Sequence, residues 1–304
     1  MKKYSVILIL LLLLACKKTE DKLQVGKLHV VTTTSQVTDL VNEIAGANVV
    51  VEGLMGAGVD PHLYKASEGD VTKFYNADVI FYNGLHLEGK LEDVFEKMRH
   101  QNKKTIAVAD ALDKAELIAS EDFASSYDPH FWFSIPNWKK AANYVANQLK
   151  QIDPKNQQAY TENAKKYIQK LEVLERTIAN QLTKLPKEQR VLVTAHDAFA
   201  YFGQEHGFNV VSLQGLSTAT EAGVKDVQRI TEFIITHEVK AIFVESSVPV
   251  RTVEALQAAV RAKNHEVRIG GTLFSDALGN PETKEGTYVG MYEYNMRTIV
   301  NALK

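Results

Sequence analysis

The sequence predicts an α/β fold of two β/α lobes with mostly parallel sheets, joined by one long backbone helix. Two observations predict it: short apolar strands alternate with amphipathic helical segments in both halves, and one glycine-free helical segment separates those halves. The chain has 304 residues, of which 45% are hydrophobic, so each lobe has enough apolar residues for its own core. We place the lobes at 28–152 and 187–304, and the connecting helix at 153–186.

The first 16 residues form a segment of a different character. They read MKKYSVILILLLLLAC, a basic start followed by an apolar run that is too short for a permanent membrane span, which predicts a signal peptide at 1–16. Cys16 is the only cysteine and closes this run. The stretch LLAC resembles the lipobox of bacterial lipoproteins, which implies cleavage and lipidation at Cys16; an ordinary signal peptide with a chance cysteine is the alternative. The polar segment 17–27 is expected to be a flexible tether.

Four strands are predicted in the first lobe. They lie in the stretches LHVVT, NVVVEGLM, ADVIFYNG and KTIAVAD. The first helix between them is expected to be capped by Ser35 or Thr38 and to end at Gly46. Further helical segments lie around 67–76 and in LEGKLEDVFEKMRH, so the strands should form a parallel sheet with helices on both faces.

The connecting helix is the longest predicted element. Asp153 is expected to cap it, Pro154 fits the first helical position, and Pro186 marks its end. Apolar residues recur every three or four positions, and about 30 residues would span about 45 Å, longer than one lobe. We therefore expect the helix to run along both lobes. A coiled-coil dimer arm is the alternative, but sustained heptads are missing.

The second lobe repeats the pattern of the first. Its predicted strands lie in RVLVTAH, NVVSLQG, AIFVESS and EVRIGG, and its helices lie in EAGVKDVQRITEFIITHE and VRTVEALQAAVRAK.

Two of the seven prolines occur in the same tripeptide, Asp-Pro-His, which ends at His62 and again at His130. Proline restricts the backbone, so a loop histidine behind it loses less entropy when its imidazole must stay in one place. The preceding Asp60 and Asp128 could accept a hydrogen bond from a loop N–H or orient the ring, as metal-binding imidazoles require. The alternative is two Asp-Pro turns with incidental histidines. His86, in NGLHLEG, is a further candidate because it follows a strand end.

The second half offers two matching residues at the ends of its strands. His196 ends the strand RVLVTAH, and Asp276 follows EVRIGG by a short loop, where open parallel sheets bind ligands. Together with His62 and His130 they make a donor set of three imidazoles and one carboxylate between two lobes, suited to Zn²⁺ or Mn²⁺. Glu245 and Asp197 are acidic neighbours expected to support these ligands. Asp60 and Asp128 complete that supporting set.

Seven stretches carry a family resemblance: GVDPHLY, DPHFWFS, TAHDAFAYFGQEHGF, GLSTATEAG, AIFVESSVP, GGTLFSDALG and EGTYVGMYEYN. In them the sequence resembles the metal-binding receptor lipoproteins of ABC uptake systems for zinc and manganese, the TroA-like solute-binding proteins. The resemblance implies two lobes on a rigid backbone helix, an ABC permease as partner, and His62, His130, His196 and Asp276 as ligands. Many zinc-specific relatives carry a histidine-rich insertion before the second ligand. Here ELIASEDFASSYD contains no histidine.

These observations favour a lipid-anchored, extracytoplasmic, monomeric protein that binds a metal without catalysis. The net charge of −2 argues against a nucleic-acid partner, because a protein that binds nucleic acid normally carries a basic surface patch. A secreted zinc hydrolase is an alternative, with Glu245 as general base, but the chain has no HExxH helix. A siderophore or chelate receptor of the same architecture is a further alternative, which would need a wide site lined with aromatics or arginines.

Overall fold

The computed structural model describes residues 26–120 and 123–304 and contains two four-stranded parallel sheets. The first sheet has the order β2-β1-β3-β4, and the second has the equivalent order β6-β5-β7-β8. The strands are β1 (Leu28–Thr32), β2 (Val49–Gly53), β3 (Val79–Tyr82), β4 (Lys104–Ala107), β5 (Val191–Thr194), β6 (Asn209–Ser212), β7 (Ala241–Glu245) and β8 (Arg268–Leu273). The predicted α/β fold of two lobes is thereby confirmed.

Nine α-helices cover the sheets in the described part of the chain. They are α1 (Ser35–Ala45), α2 (Glu68–Asn76), α3 (Glu92–His100), α4 (Ile135–Ile152), α5 (Gln157–Leu182), α6 (Ala200–His206), α7 (Val224–Thr236), α8 (Arg251–Arg261) and α9 (Tyr288–Leu303). No helix among the described residues is long and apolar enough to cross a membrane. The predicted signal peptide and Cys16 lie outside the described residues, as does all but the end of the tether.

The cap of α1 differs from the sequence prediction. Thr34 is the N-cap, whereas Ser35 and Thr38 lie inside the helix. Thr34 has an extended backbone, and its hydroxyl accepts the Val37 N–H at 3.3 Å. The capping residue therefore lies one position before Ser35, the earlier of the two expected caps. Gly46 ends the helix as predicted, at φ 56°.

The long helix α5 is shorter than the predicted 153–186. It has 26 residues, about 39 Å, and follows a 3₁₀ turn at Pro154–Asn156. The Asp153 carboxylate does not cap α5, because it accepts the Tyr160 hydroxyl at 2.6 Å and the Asn156 amide at 2.7 Å. At the other end, the Arg190 guanidinium donates to the carbonyl of Leu182, which stabilises the last turn.

One hydrophobic core extends through both lobes. It joins Val30 on β1, Trp138 on α4, Leu171 on α5, Phe199 before α6 and Met296 on α9. Helix α5 packs against α1 and α4 of the first lobe and against α9 of the second. The two lobes are therefore connected by continuous packing as well as by the chain.

Candidate metal centre

Four side chains from separate segments converge between the two sheets. One ligand-type atom from each of His62, His130, His196 and Asp276 lies within 4.8 Å of the other three. Nε2 of His62 is 3.4 Å from Nε2 of His130 and 3.8 Å from Asp276 Oδ2, while Nε2 of His196 is 3.2 Å from the same oxygen. A tetrahedron with metal–nitrogen bonds of about 2.0–2.1 Å has edges of about 3.4 Å. The three distances of 3.2–3.8 Å are close to this edge length, so the cluster has about the size of the coordination shell of one transition-metal ion.

The loop after β2 positions His62. Asp60 Oδ1 accepts the backbone N–H of His62 at 2.8 Å, and Asp60 Oδ2 accepts the Thr218 hydroxyl at 2.6 Å. Asp60 thus orders the main chain of this loop without orienting the imidazole ring. Because Thr218 belongs to the second lobe, the same carboxylate also connects the two lobes.

The second Asp-Pro-His loop holds its ring more directly. Asp128 Oδ1 accepts the backbone N–H of His130 at 2.8 Å and lies 2.7 Å from His130 Nδ1. A carboxylate oxygen only accepts, so Nδ1 carries the proton and Nε2 points toward the other ligands. The Tyr201 hydroxyl donates to the Asp128 carbonyl at 3.1 Å, which ties this loop to α6 of the second lobe.

His196 is held by the neighbouring strand. Its backbone N–H donates to Glu245 Oε1 at 2.9 Å, and its Nδ1 lies 2.5 Å from Glu245 Oε2. Glu245 is the last residue of β7, which pairs with β5. The sequence placed His196 at the end of its strand, but β5 ends two residues earlier, at Thr194. This leaves the histidine free of the sheet and able to turn toward Glu245.

Asp276 is positioned by the opposite lobe. The carbonyl of the preceding Ser275 accepts hydrogen bonds from Gln36 Nε2 at 3.1 Å and from Trp132 Nε1 at 3.2 Å. Both Asp276 oxygens and His196 Nε2 are buried and have no hydrogen-bond partner among residues 26–120 and 123–304. Buried polar atoms without a partner are costly unless a ligand satisfies them.

The electrostatics of the cluster divide its histidines into two kinds. Burial lowers the pKa of His62 to about 3, so this imidazole is neutral. Burial opposes protonation of His130 as well, but the carboxylates of Asp128 and Asp276 outweigh it and raise its pKa to about 9. Likewise, Asp276 and Glu245 overcome the burial of His196 and raise its pKa well above the ordinary value. The three imidazoles in turn overcome the burial of Asp276 and keep its pKa well below the ordinary value.

Asp197 takes no direct part in this network. Its side chain makes no hydrogen bond to the four converging residues in the described structure, and only its backbone N–H is bonded, to the Gly215 carbonyl at 3.2 Å. Burial, reinforced by the negative charge of Asp128, raises the pKa of Asp197. Four acids were singled out from the sequence. Asp128 and Glu245 hydrogen-bond imidazole rings, and Asp60 hydrogen-bonds the backbone of the His62 loop. Asp197 makes neither kind of hydrogen bond in the described structure.

Sequence reasoning missed Gln36 and Trp132, which hold the loop of Asp276. A signal for Gln36 was present in the stretch TTTSQ, a polar run at the carboxyl end of β1, where parallel sheets bind ligands. Trp132 carried no such signal, because its position beside His130 in HFWF is equally consistent with simple core packing. The Trp132 ring is buried in the core and also donates a hydrogen bond from Nε1 to the Ser275 carbonyl.

Comparisons with known proteins agree with this architecture. The family model described as zinc-uptake complex component A, periplasmic (ZnuA), matches residues 30–302. The chain is 48% identical to the manganese-binding lipoprotein MntA of Bacillus subtilis over 91% of this chain and 90% of that protein. It is 31% identical to the manganese ABC transporter substrate-binding lipoprotein PsaA of Streptococcus pneumoniae over 100% of this chain and 99% of that one.

The solved structures include a similar protein with the same fold. The periplasmic zinc-binding protein TroA of Treponema pallidum superposes with a TM-score of 0.88 at 46% identity, covering 91% of this chain and 99% of that one. The family match spans both sheets and all four converging residues. The chain therefore belongs to the zinc-uptake complex component A family.

Proposed function

We propose that this protein is an extracytoplasmic solute-binding protein that captures Zn²⁺ or Mn²⁺ between its lobes and delivers the ion to an ABC permease. One observation carries the proposal: three imidazole nitrogens and a carboxylate converge in a buried cluster whose spacing fits a single ion. The names of the similar proteins support it, since they are described as zinc-binding, manganese-binding and substrate-binding for a metal ABC transporter.

The proposed ligands are His62, His130, His196 and Asp276. Asp128 and Glu245 fix the ring orientation of two of them and keep their Nδ1 protonated, which leaves Nε2 for the ion. Zn²⁺ accepts nitrogen and oxygen donors in this number, and Mn²⁺ accepts the carboxylate readily. The donor set thus suits both ions, and competitive loading is the measurement that ranks them.

The site favours binding over catalysis. A zinc hydrolase needs a general base that is free to activate water. Both oxygens of Glu245, the candidate base, are engaged by His196. A siderophore or chelate receptor needs a wide site, whereas the four converging residues are at most 5% exposed.

The proposed setting follows from the leader and from the relatives. Relatives such as MntA and PsaA are named lipoproteins, which supports membrane anchoring through Cys16. One chain supplies all four proposed ligands, so we propose a monomer. The near-neutral charge supports the absence of a nucleic-acid partner.

Competitive loading of the purified protein tests the function. The protein is offered equimolar Zn²⁺, Mn²⁺ and an iron chelate, and bound ions are counted by elemental analysis. We expect one divalent ion per chain, and a loss of affinity of more than about 100-fold in His130→Ala. His100→Ala is the matched control, because His100 is 77% exposed on α3. Equal loading of the His130 variant, with its fold verified by circular dichroism, would contradict the ligand assignment.

A further inference from the structure

A second pocket adjoins the metal centre and shares one residue with it. Its volume is about 280 Å³, and its walls include His62, His86, Gly89, Phe123 and Ser217. Ser217 comes from the second lobe, so the pocket lies where the lobes meet. We call it the access pocket. His86, whose side chain is 42% exposed, stands on the solvent side, whereas His62 is buried and belongs to the converging cluster.

The backbone that presents His86 is strained. Leu85 has φ 53° and His86 has φ 62°, and they are the only adjacent pair of non-glycine residues with positive φ in the part of the chain that is described. Each such residue costs about 1–3 kcal/mol, so a pair persists only where the surroundings hold it in place.

A buried carboxylate supplies that support. Glu88 Oε1 accepts the Thr33 hydroxyl at 2.6 Å and the Asn83 N–H at 2.7 Å, and Oε2 accepts the Gly84 N–H at 3.3 Å. Leu87 is fully buried next to it. The turn is thus fixed at both sides of His86, and its strained geometry turns the imidazole away from the core and into the access pocket.

The imidazole of His86 is placed for contact with a cation. Its Nδ1 is 3.5 Å from Glu92 Oε1, an ion-pair distance that places a carboxylate beside the ring. A Cβ atom at Gly89 would lie 2.7 Å from His86 Nε2, closer than real contacts allow, so the imidazole keeps its present position only because residue 89 is glycine. The rings of His86 and His62 both meet Phe123 edge-on, with centroids 6.2 and 6.4 Å from its own.

We propose that His86, supported by Glu92, is an access ligand that binds the divalent ion transiently on its way to and from His62. The proposal rests on the proposed function of the metal centre. An imidazole at the pocket mouth replaces one water molecule of the hydrated ion before the ion reaches His62, which lowers the barrier to desolvation. His86 is not among the four converging residues, so it changes the rates of binding and release equally and leaves the affinity unchanged.

Stopped-flow kinetics of Zn²⁺ binding distinguish this role from others. Trp132 is a natural reporter, since its ring lies 5.2 Å from that of His130. Binding is followed at low buffered Zn²⁺, and release is followed by adding excess chelator. The variant is His86→Asn, because asparagine tolerates positive φ and preserves the turn. We expect kon and koff each to fall about tenfold at constant Kd, a barrier change of about 1.4 kcal/mol.

Two further variants complete the test. Gly89→Ala should reproduce the effect by displacing the imidazole from its present position while His86 remains. His100→Ala is the matched control, because His100 also lies beside a carboxylate, 3.6 Å from Glu96, but outside the access pocket. Unchanged rates in His86→Asn, or a weakened Kd, would overturn the access ligand. Failure of the wild-type protein to bind either one Zn²⁺ or one Mn²⁺ per chain would instead overturn the proposed function, so the two failures are distinguishable.

Discussion

Metal binding is expected to release two protons from the protein at neutral pH. In the metal-free protein, His130 with its pKa of about 9, and His196 with a pKa raised well above the ordinary value, are both protonated at pH 7. His62, with its pKa lowered to about 3, is already neutral. An imidazole must be neutral to bind a metal, so His130 and His196 each lose the proton on Nε2.

The magnitude follows from this count. Each proton released makes the association constant tenfold larger per unit of pH, so two protons give about 100-fold, or about 2.7 kcal/mol, per pH unit. The affinity should therefore fall as the pH is lowered from 8 to 5, and the slope should approach one proton above pH 9, where His130 is already neutral.

Isothermal titration calorimetry measures the proton number directly. The observed enthalpy at pH 7 is plotted against the ionisation enthalpy of several buffers, and the slope is the number of protons released. Asp128→Asn provides the internal comparison, because it removes one of the two carboxylates that raise the pKa of His130, and the number should fall below two. A wild-type slope of zero would refute the assignment of charge in this cluster.

Four further predictions concern other parts of the molecule. In the metal-free protein, His130 should contribute about 3 kcal/mol to the unfolding free energy, and denaturant titrations should show this contribution being lost from pH 6.5 to 9, because the raised pKa of His130 stabilises the fold only while the ring is protonated. Glu245→Gln should weaken metal binding about 10–100-fold in chelator competition, and an unchanged Kd would argue against its positioning role. Gln36→Ala should weaken metal binding about tenfold although Gln36 is not a proposed ligand, since the change removes one of the two donors that hold the loop of Asp276. Cys16→Ser should leave the protein in the soluble fraction after cell lysis with its metal affinity unchanged, whereas a variant that remains with the membranes would contradict the anchor.

Strand and helix alternation was predictable because it depends on local periodicity. The predicted α/β fold and the burial of one face of α5 are both observed, whereas the ends of elements moved by several residues. Asp153 shows why: its carboxylate bonds Asn156 and Tyr160 rather than the backbone donors that a cap would satisfy. Side-chain competition of this kind is decided by packing and is not visible in a periodic pattern.

The partners of the imidazoles could not be predicted with equal success. Glu245 and Asp197 both lie near strand ends in the sequence, and both were expected to support the ligands. Only the pairing of β5 with β7 brings Glu245 against His196, while Asp197 makes a backbone hydrogen bond and no side-chain hydrogen bond within residues 26–120 and 123–304. The distance between side chains on neighbouring strands depends on sheet order and register, which local sequence does not specify.

The sequence by itself determined the chemistry of this protein: which residue types are available, that two histidines are stiffened by a preceding proline, and that carboxylates stand close to strand ends. The tertiary structure alone decided which of these atoms meet. It placed Asp276 through donors from the opposite lobe, gave each of two imidazoles its carboxylate, and put His86 and His62 on the walls of one pocket. The physical reason is that donor identity is a property of single residues, whereas burial, charge coupling and distances of a few ångströms arise only when distant segments pack together.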